Sequence, residues 1–195
     1  MMDGNADERR ALILQAAYST FVSYGFKRTT MDDIARAVGL SRPALYIHFR
    51  NKPDIFRGLM LAMMEETRVR VASCLGQDLP LAQRVELALH EGIVLPHRQI
   101  LETAHGAELF DTSHEFAADL FLAWMKAVEV EIALALQRAA DAYIITIPSG
   151  LSAEIIASLL IDAIQGMKSR RQTIEEVAEA IPHLLALTLG TMLVR

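Results

Sequence analysis

The chain has 195 residues, of which 52% are hydrophobic and 22% charged, so it can bury a large core and is not a disordered polymer. Its one cysteine, Cys74, excludes an internal disulfide, and Asp162 interrupts the most apolar stretch, so nothing matches the roughly 20 apolar residues of a membrane span. No leader-like apolar segment opens the sequence, and we expect a cytoplasmic protein without a membrane partner.

The net charge of −5 is unevenly distributed. Residues 1–60 hold nine basic and six acidic side chains, a net charge of +3, whereas residues 61–195 carry −8. The total charge argues against nucleic acid, but a basic N-terminal part on an acidic body allows one end to approach phosphates. Chance scatter can produce a difference of this size, so charge alone leaves both interpretations open.

Three helices are predicted at the start of the chain. Apolar residues at helical spacing indicate a first helix over 7–24. Thr30 begins a second, short helix, because its hydroxyl can cap free N–H groups while Asp33 reaches back to it. Gly39 ends that helix and allows a sharp backbone turn into a third helix, which Ser41 caps.

The third and fourth helices each carry a proline, Pro43 and Pro53, in the first turn, where a missing N–H costs nothing. Asn51 is predicted to cap the fourth helix, which continues to about Leu75. The second and third helices together form a helix-turn-helix that packs on the first helix.

These signals occur together at fixed spacing over about residues 9–58. The residues concerned are Ala16, Ala17, Phe21, Gly25, Phe26, Thr29 to Ala35, Val38 to Ser41 and Leu45 to Lys52. This pattern resembles the DNA-binding domain of the TetR family of bacterial transcriptional regulators. The resemblance implies an all-α protein, with a helix-turn-helix DNA-binding domain over residues 1–55 and a helical ligand-sensing and dimerisation domain over residues 56–195.

The start of the third helix is the candidate for base contacts, because a recognition helix places its N-terminal side chains against base edges. Arg42 has the donors that fit guanine O6 and N7, whereas Pro43 and Ala44 offer only apolar contact, most naturally to a thymine methyl group. The alternative for Arg42 is a solvated surface arginine.

Phosphate contacts are predicted around this helix. Tyr46, His48 and Lys52 match family positions that meet the sugar-phosphate backbone, and Lys52 also stands at a helix N-terminus, which attracts phosphate. Thr30 can present its N–H and hydroxyl to another phosphate, and Arg28 is a weaker candidate. Packing or capping alone is the alternative for these residues.

Beyond residue 60 there is helical periodicity without a comparable motif. Further helices are predicted near 80–95, 98–105, 114–142, 152–168 and 173–193, and Pro182 is expected to kink the last one. The last two carry apolar stripes wider than one neighbouring helix needs. In the resembled family two C-terminal helices pair with their copies, which implies a homodimer interface with Ile156, Leu160, Ile164, Ile181, Leu185 and Leu189. The alternative is that both stripes face the core of the monomer.

The resemblance also implies a small-molecule pocket in the C-terminal domain. Its candidate lining residues are Leu95, Ile100, His105, Phe110, Phe121, Trp124 and Met125, for which plain core packing is the alternative. The implied protein is a repressor that a small, largely apolar effector releases from a palindromic operator. Its partners are then double-stranded DNA, the effector and a second copy of the chain, and no cofactor is expected.

Two other functions stay open, a helical-bundle enzyme or metal-binding protein and a ligand-independent architectural DNA binder. Pro96 interrupts the spacing of His90 and His97, and the sequence has no His-x-x-x-His pair, phosphate loop or nucleophile elbow. We therefore expect neither catalytic residues nor metal ligands. An architectural binder predicts a body packed to core density without a cavity.

Overall fold

The computed structural model describes residues 3–192, with side chains from residue 6 onward, and the chain is all α over this range. None of the helices in these residues is long and apolar enough to cross a membrane. The helices are α1 Asp3–Tyr24, α2 Met31–Val38, α3 Arg42–His48, α4 Lys52–Leu75, α5 Leu81–Leu89, a π-helical turn His90–Val94, α6 Leu95–Leu101, α7 Gly106–Asp141, α8 Ala153–Arg170 and α9 Ile174–Thr188.

The chain packs into two compact units. The first contains residues 1–64 and 99–121, and the second contains residues 65–98 and 122–195. Each unit is therefore built from two separate stretches of sequence, and α4, α6 and α7 contribute residues to both. The boundary predicted after residue 55 divides the chain by function, and it stays a prediction.

The helix ends of the first unit are set by the predicted capping residues. Thr30 Oγ1 accepts the N–H of Asp33 at 3.2 Å, and Asp33 Oδ2 accepts the N–H of Thr30 at 2.9 Å, which confirms the capping box of α2. Gly39 ends α2 with φ 74°, a backbone conformation that favours glycine. At the start of α3, Ser41 Oγ accepts the N–H of Ala44 at 3.3 Å.

One apolar core joins α1, α2, α3 and α4 to the first turns of α7. Leu109 and Ala117 of α7 belong to this core, and the Arg10 guanidinium of α1 lies 4.0 Å from the ring centroid of Phe49. Arg10 Nη1 also donates to the carbonyl oxygen of His48 at 3.0 Å, so α1 holds the C-terminal end of α3. The fully buried side chains of this core include Ile13, Phe21, Ile34, Leu45, Phe49 and Ile55.

In the second unit a π-helical turn follows α5, so the regular helix predicted over 80–95 ends early. In an α-helix the carbonyl of Gly92 would accept the N–H of position 96, which here is Pro96 and has none. Trp124 Nε1 donates to this Gly92 oxygen instead, at 3.2 Å. Pro96 itself stands at the second position of α6.

Two long helices also differ from prediction. The helix predicted over 114–142 begins at Gly106, and Ala117 inside it has φ −141° and ψ 20°, so the helical geometry breaks there. α9 contains Pro182 and ends at Thr188, five residues before the predicted end. The predicted end of the last helix, residue 193, lies outside the described residues.

The stripes of α8 and α9 that were predicted to meet a second copy face the interior of their own chain. Ile156, Leu160, Ile164, Ile181, Leu185 and Leu189 are all buried in the monomer, at 5% exposure or less. These residues follow the alternative interpretation, in which the stripes pack in the core of their own chain, and the homodimer interface stays a prediction. The exposed apolar residues on these helices are instead Ile155 and Leu159 on α8 and Leu187 on α9.

Candidate nucleic-acid interface

α3 is a seven-residue helix that is anchored by one buried side chain and open at its N-terminal end. Leu45 is fully buried in the core of the first unit, whereas Arg42 and Pro43, the first two residues of the helix, are exposed. Ala44 is half-buried. The first turn of α3 can therefore approach another molecule with Arg42 and Pro43 leading, as a recognition helix requires.

Arg42 is held by two neighbours on this surface. Its Nη1 donates to Asp32 Oδ2 at 3.2 Å, and its Nη2 donates to Tyr46 Oη at 3.4 Å. The hydrogen bond with Tyr46 and the charge of Asp32 raise the pKa of Arg42. The pair could not be predicted from the sequence, because Asp32 and Arg42 are ten residues apart on two helices and no helical spacing connects them.

The remaining predicted phosphate contacts have different surroundings. Tyr46 is 42% exposed and Arg28 is exposed, so both side chains are accessible. His48 is half-buried. Thr30 is exposed, but its Oγ1 donates to Asp33 Oδ2 at 2.6 Å and its N–H binds the same oxygen, so both donors offered to phosphate are already used.

Lys52 does not face outward as a phosphate ligand, and the structure corrects its role. Its Nζ donates to the carbonyl oxygens of Phe26 at 2.5 Å, Thr29 at 2.7 Å and Lys27 at 3.3 Å. Burial lowers the pKa of Lys52, and the charge of Glu108 acts in the opposite direction. Because an ammonium group has three donors, these carbonyls occupy all of them. Lys52 therefore fixes the loop between α1 and α2.

The same loop is held from its other side by α7. Glu108 Oε1 accepts the N–H of Lys27 at 2.6 Å. Gly25 ends α1 with φ 80°, and a β-carbon at this position would collide with the Glu108 carboxylate. The loop thus needs glycine both for its backbone conformation and for the close approach of Glu108.

A second polar link joins α4 to the break in α7. Arg57 Nη1 and Nη2 donate to the two carboxylate oxygens of Asp119 at 2.7 and 2.8 Å. Arg57 Nη1 also donates to the carbonyl oxygen of Phe116 at 2.7 Å, next to the non-helical Ala117. Its hydrogen bonds and charge lower the pKa of Asp119 to about 2. Sequence reasoning did not single out Arg57 or Asp119, which are 62 residues apart.

The residues predicted to line an effector pocket are divided between the two units. Ile100, His105, Phe110 and Phe121 belong to the first unit, and Leu95, Trp124 and Met125 belong to the second. Trp124 and Met125 are buried, and the other five are half-buried. The pocket they would form stays a prediction.

A groove of about 440 Å³ in the first unit includes one of these residues, His105. Its other lining residues lie on α1, α2 and the loop between them, and they include Tyr24, Arg28 and Arg36. This lining carries two arginines and Asp33, unlike the predicted apolar pocket. Among the side chains that the structure describes, from residue 6 to 192, no three His, Cys, Asp or Glu come close enough together to hold a metal ion.

Comparison with known proteins finds similarity that is strongest around this surface. The profile of bacterial regulatory proteins of the tetR family matches residues 13–59. The chain is 30% identical over 82 residues to YhgD, an uncharacterized HTH-type transcriptional regulator of Bacillus subtilis, covering 42% of this chain and 43% of YhgD. It is 42% identical over 60 residues to TtgR, an HTH-type transcriptional regulator of Pseudomonas putida, covering 31% of this chain and 29% of TtgR.

The chain thus spans less than half the length of these curated relatives. Its fold, by contrast, is shared over nearly the full length with a solved structure. SmeT, the repressor of the Stenotrophomonas maltophilia multidrug efflux pump SmeDEF, matches with a TM-score of 0.65 and 18% identity over 95% of this chain and 90% of SmeT. At this identity the likeness concerns the fold, and it includes the part of the chain beyond residue 60.

Proposed function

We propose that the chain is a member of the TetR family of bacterial regulatory proteins, whose profile matches residues 13–59, and that it is a ligand-responsive transcriptional repressor. It acts as a homodimer on a two-fold symmetric operator in double-stranded DNA, with one α3 in the major groove of each half-site. A small, largely apolar effector releases it. The alternative functions, an enzyme or a ligand-independent architectural protein, have no comparable support among its relatives.

The observation that carries the proposal is the exposed first turn of α3 on a basic part of the chain. Arg42 and Pro43 are accessible at the end of a helix whose buried side, through Leu45, is fixed in a rigid core. Residues 1–60 have a net charge of +3 in a chain of net charge −5. A rigid helix end supplies base contacts, and the surrounding positive charge supplies attraction to phosphates.

The direct test is selection of bound fragments from random duplex DNA by the purified full-length chain. We expect enrichment of a palindrome whose half-sites lie about 34–36 Å apart, or a multiple of a helical turn, because a two-fold dimer presents two equivalent helices. Recovery of unenriched DNA at low salt by a folded, effector-free protein would refute the proposal. A selected site without two-fold symmetry would refute its dimeric form.

The proposed homodimer uses the exposed face of α8 and α9. Ile155 and Leu159 lie four residues apart and so share one side of α8, and they are 45% and 57% exposed. Leu187 on α9 is 75% exposed. When a second copy covers exposed large aliphatic side chains on neighbouring helices, the dimer is stabilised by about 25 cal/mol per Å² of buried apolar surface.

The proposed effector acts by preferring one arrangement of the two DNA-binding domains over the other, since a ligand shifts an equilibrium only by its difference in affinity. The proposed pocket lies in the C-terminal domain near Trp124, whose ring is buried and whose indole N–H donates to the Gly92 carbonyl oxygen. Trp124 is also the single tryptophan of the chain. A metabolite screen for release of the selected duplex, followed by quenching of Trp124 fluorescence, tests this proposal.

A further inference from the structure

The ion pair between Arg42 and Asp32 places a negative charge on the surface that we propose faces DNA. Asp32 Oδ2 accepts from Arg42 Nη1 at 3.2 Å, and the two side chains are 51% and 57% exposed. Tyr46 holds Nη2 of the same guanidinium at 3.4 Å. An acidic residue beside a base-contacting arginine opposes attraction to phosphate, so its presence needs a physical reason.

Stability does not provide that reason. An exposed ion pair contributes little to the free energy of unfolding and is screened by salt. An acid in the first turn also favours α2 through the helix dipole, but Asp33 already supplies a carboxylate there and completes the capping box with Thr30. The contribution of Asp32 to the free energy of unfolding is therefore small. Its main effect is on the groups that Arg42 can bind.

Asp32 affects specific and non-specific DNA complexes differently. On an unrelated DNA sequence, Arg42 gains only a phosphate contact. To make that contact it loses its hydrogen bond with Asp32, and the phosphate also repels the Asp32 carboxylate. On the correct sequence, guanine O6 and N7 offer Arg42 two acceptors in a fixed geometry. The bidentate contact with guanine compensates for the lost hydrogen bond between Arg42 and Asp32, whereas a contact with a single phosphate oxygen does not.

We propose that Asp32 is a specificity-determining residue, which restrains Arg42 from phosphates and releases it to the matching base pair. The inference rests on the proposed DNA-binding function and on base contact by Arg42. Its partner is duplex DNA, and its action is discrimination by a repulsive element as well as an attractive one. Tyr46 completes the arrangement by keeping the guanidinium at the exposed end of α3.

The test compares D32N with the wild-type chain on two duplexes of equal length, the selected operator and a scrambled sequence of the same composition. We expect D32N to bind the scrambled duplex about three- to tenfold tighter at low salt, because one repulsive charge is lost and Arg42 is freed. Operator affinity changes by less than about twofold, so the specificity ratio falls. The non-specific salt dependence steepens by about one unit of log–log slope per subunit.

Two controls separate this role from general electrostatics. Glu115, an exposed acid on α7, gives the matched variant E115Q, which removes the same charge and leaves the specificity ratio unchanged. In an R42A background, D32N no longer alters the ratio, because its effect acts through Arg42. Thermal unfolding of D32N reports any loss of α2 stability separately.

Each outcome of these binding measurements either supports or overturns the proposed role of Asp32. An unchanged ratio in D32N, or an equal change in E115Q, overturns it, and so does an undiminished effect of D32N in the R42A background. If the wild-type chain selects no operator, the proposed function fails and the inference fails with it. If an operator is selected and only the D32N ratio stays constant, the proposed function stands and this role of Asp32 is refuted.

Discussion

Lys52 illustrates how one side chain can fix a loop. Its ammonium joins three carbonyl oxygens between α1 and α2, and its charge lies 4.3 Å from the ring centroid of Phe26. Removal leaves these acceptors without their charged donor, which costs more than loss of an average surface contact. The residue therefore belongs to the stability of the first unit.

We predict that Lys52→Met lowers the free energy of unfolding by about 2 kcal/mol, because the aliphatic stem is kept and the charged hydrogen bonds are lost. Chemical denaturation measures this change. Lys27→Met is the matched control, since that exposed side chain belongs to the same loop, and it should change stability by less than about 0.5 kcal/mol. Equal effects of the two substitutions would contradict the assignment.

His97 predicts a pH dependence of stability. Burial lowers the pKa of its imidazole to about 4, the charge of Lys168 acts in the same direction, and Glu175 opposes both. In the unfolded chain the pKa is near 6.5. Between these values the unfolded state binds more protons, so the free energy of unfolding rises with pH, and the stabilisation is lost as pH falls from about 6.5 towards 4.

We expect His97→Gln to flatten this rise, as measured by urea unfolding at several pH values between about 4.5 and 7. The neutral amide has no proton to gain over this range. His183→Gln on the exposed face of α9 is the control and should keep the wild-type slope. Should the two variants give the same slope, His97 is not the group responsible.

At the scale of whole elements, α8 and α9 separate an exposed apolar face from a buried one. Replacing both Leu159 and Leu187 with glutamate should give a folded monomer, because charges in an apolar contact prevent association while the monomer core is untouched. Sedimentation together with circular dichroism checks both parts of this prediction. A persistent dimer would place the interface elsewhere.

Two controls define the face more closely. Leu160→Glu changes a neighbouring residue that is 1% exposed, so it should unfold the chain instead of dissociating a dimer. Leu122→Glu changes a residue of α7 that is 69% exposed, and it should leave the association intact. A monomer produced by Leu122→Glu alone would move the interface to α7.

The break in α7 at Ala117 is a second element-scale feature, and Arg57 holds it through Asp119 and the Phe116 carbonyl. We predict that Asp119→Asn speeds hydrogen exchange of the backbone amides around residues 112–121, because the bidentate contact is lost. Global stability should change by less than about 1 kcal/mol, as expected for exposed ion pairs. Asp111→Asn, at an exposed acid earlier in α7, is the control, and equal exchange in both variants would deny Arg57 this role.

For the molecule as a whole, the features that could be predicted from the sequence are those that depend on residues a few positions apart. The caps at Thr30, Gly39 and Ser41 are local, so residue types a few positions apart predicted them and the structure confirms them. The all-α class followed from the family resemblance, which rests on local signals of the same kind. The resemblance extended this to a family, which the comparisons support.

Features set by distant contacts could not be predicted in this way. α7 begins at Gly106 because Leu109 is buried in the core of the first unit, and the π-helical turn accompanies a bond between Trp124 and Gly92, 32 residues apart. Periodicity identified the apolar stripes of α8 and α9, but it cannot tell which partner covers a stripe. Likewise, a lysine at the start of a helix suggests a phosphate contact. Only the folded loop shows that the ammonium group of Lys52 is already bonded to backbone carbonyls.

Linkage supplies a prediction for the complete regulator. If an effector weakens operator affinity tenfold, operator must weaken effector affinity by the same factor, because the coupling free energy is shared. Titration of the protein with effector, followed by Trp124 fluorescence, measures the effector affinity with and without the selected duplex. Effector binding that is indifferent to DNA would show that the compound acts outside the proposed equilibrium.

The π-helical turn at His90–Val94 has a consequence for chains of slightly different length. Such a turn holds one residue more than an α-helix of the same rise, so deletion of a single residue there restores a regular helix instead of breaking it. The side chains of α6 would then keep their directions around the helix axis, because the turn already absorbs the extra residue. Loss of one codon in a regular α-helix would instead turn every downstream side chain by about 100°, so His90–Val94 is a place where the α5–α6 segment tolerates a change of length.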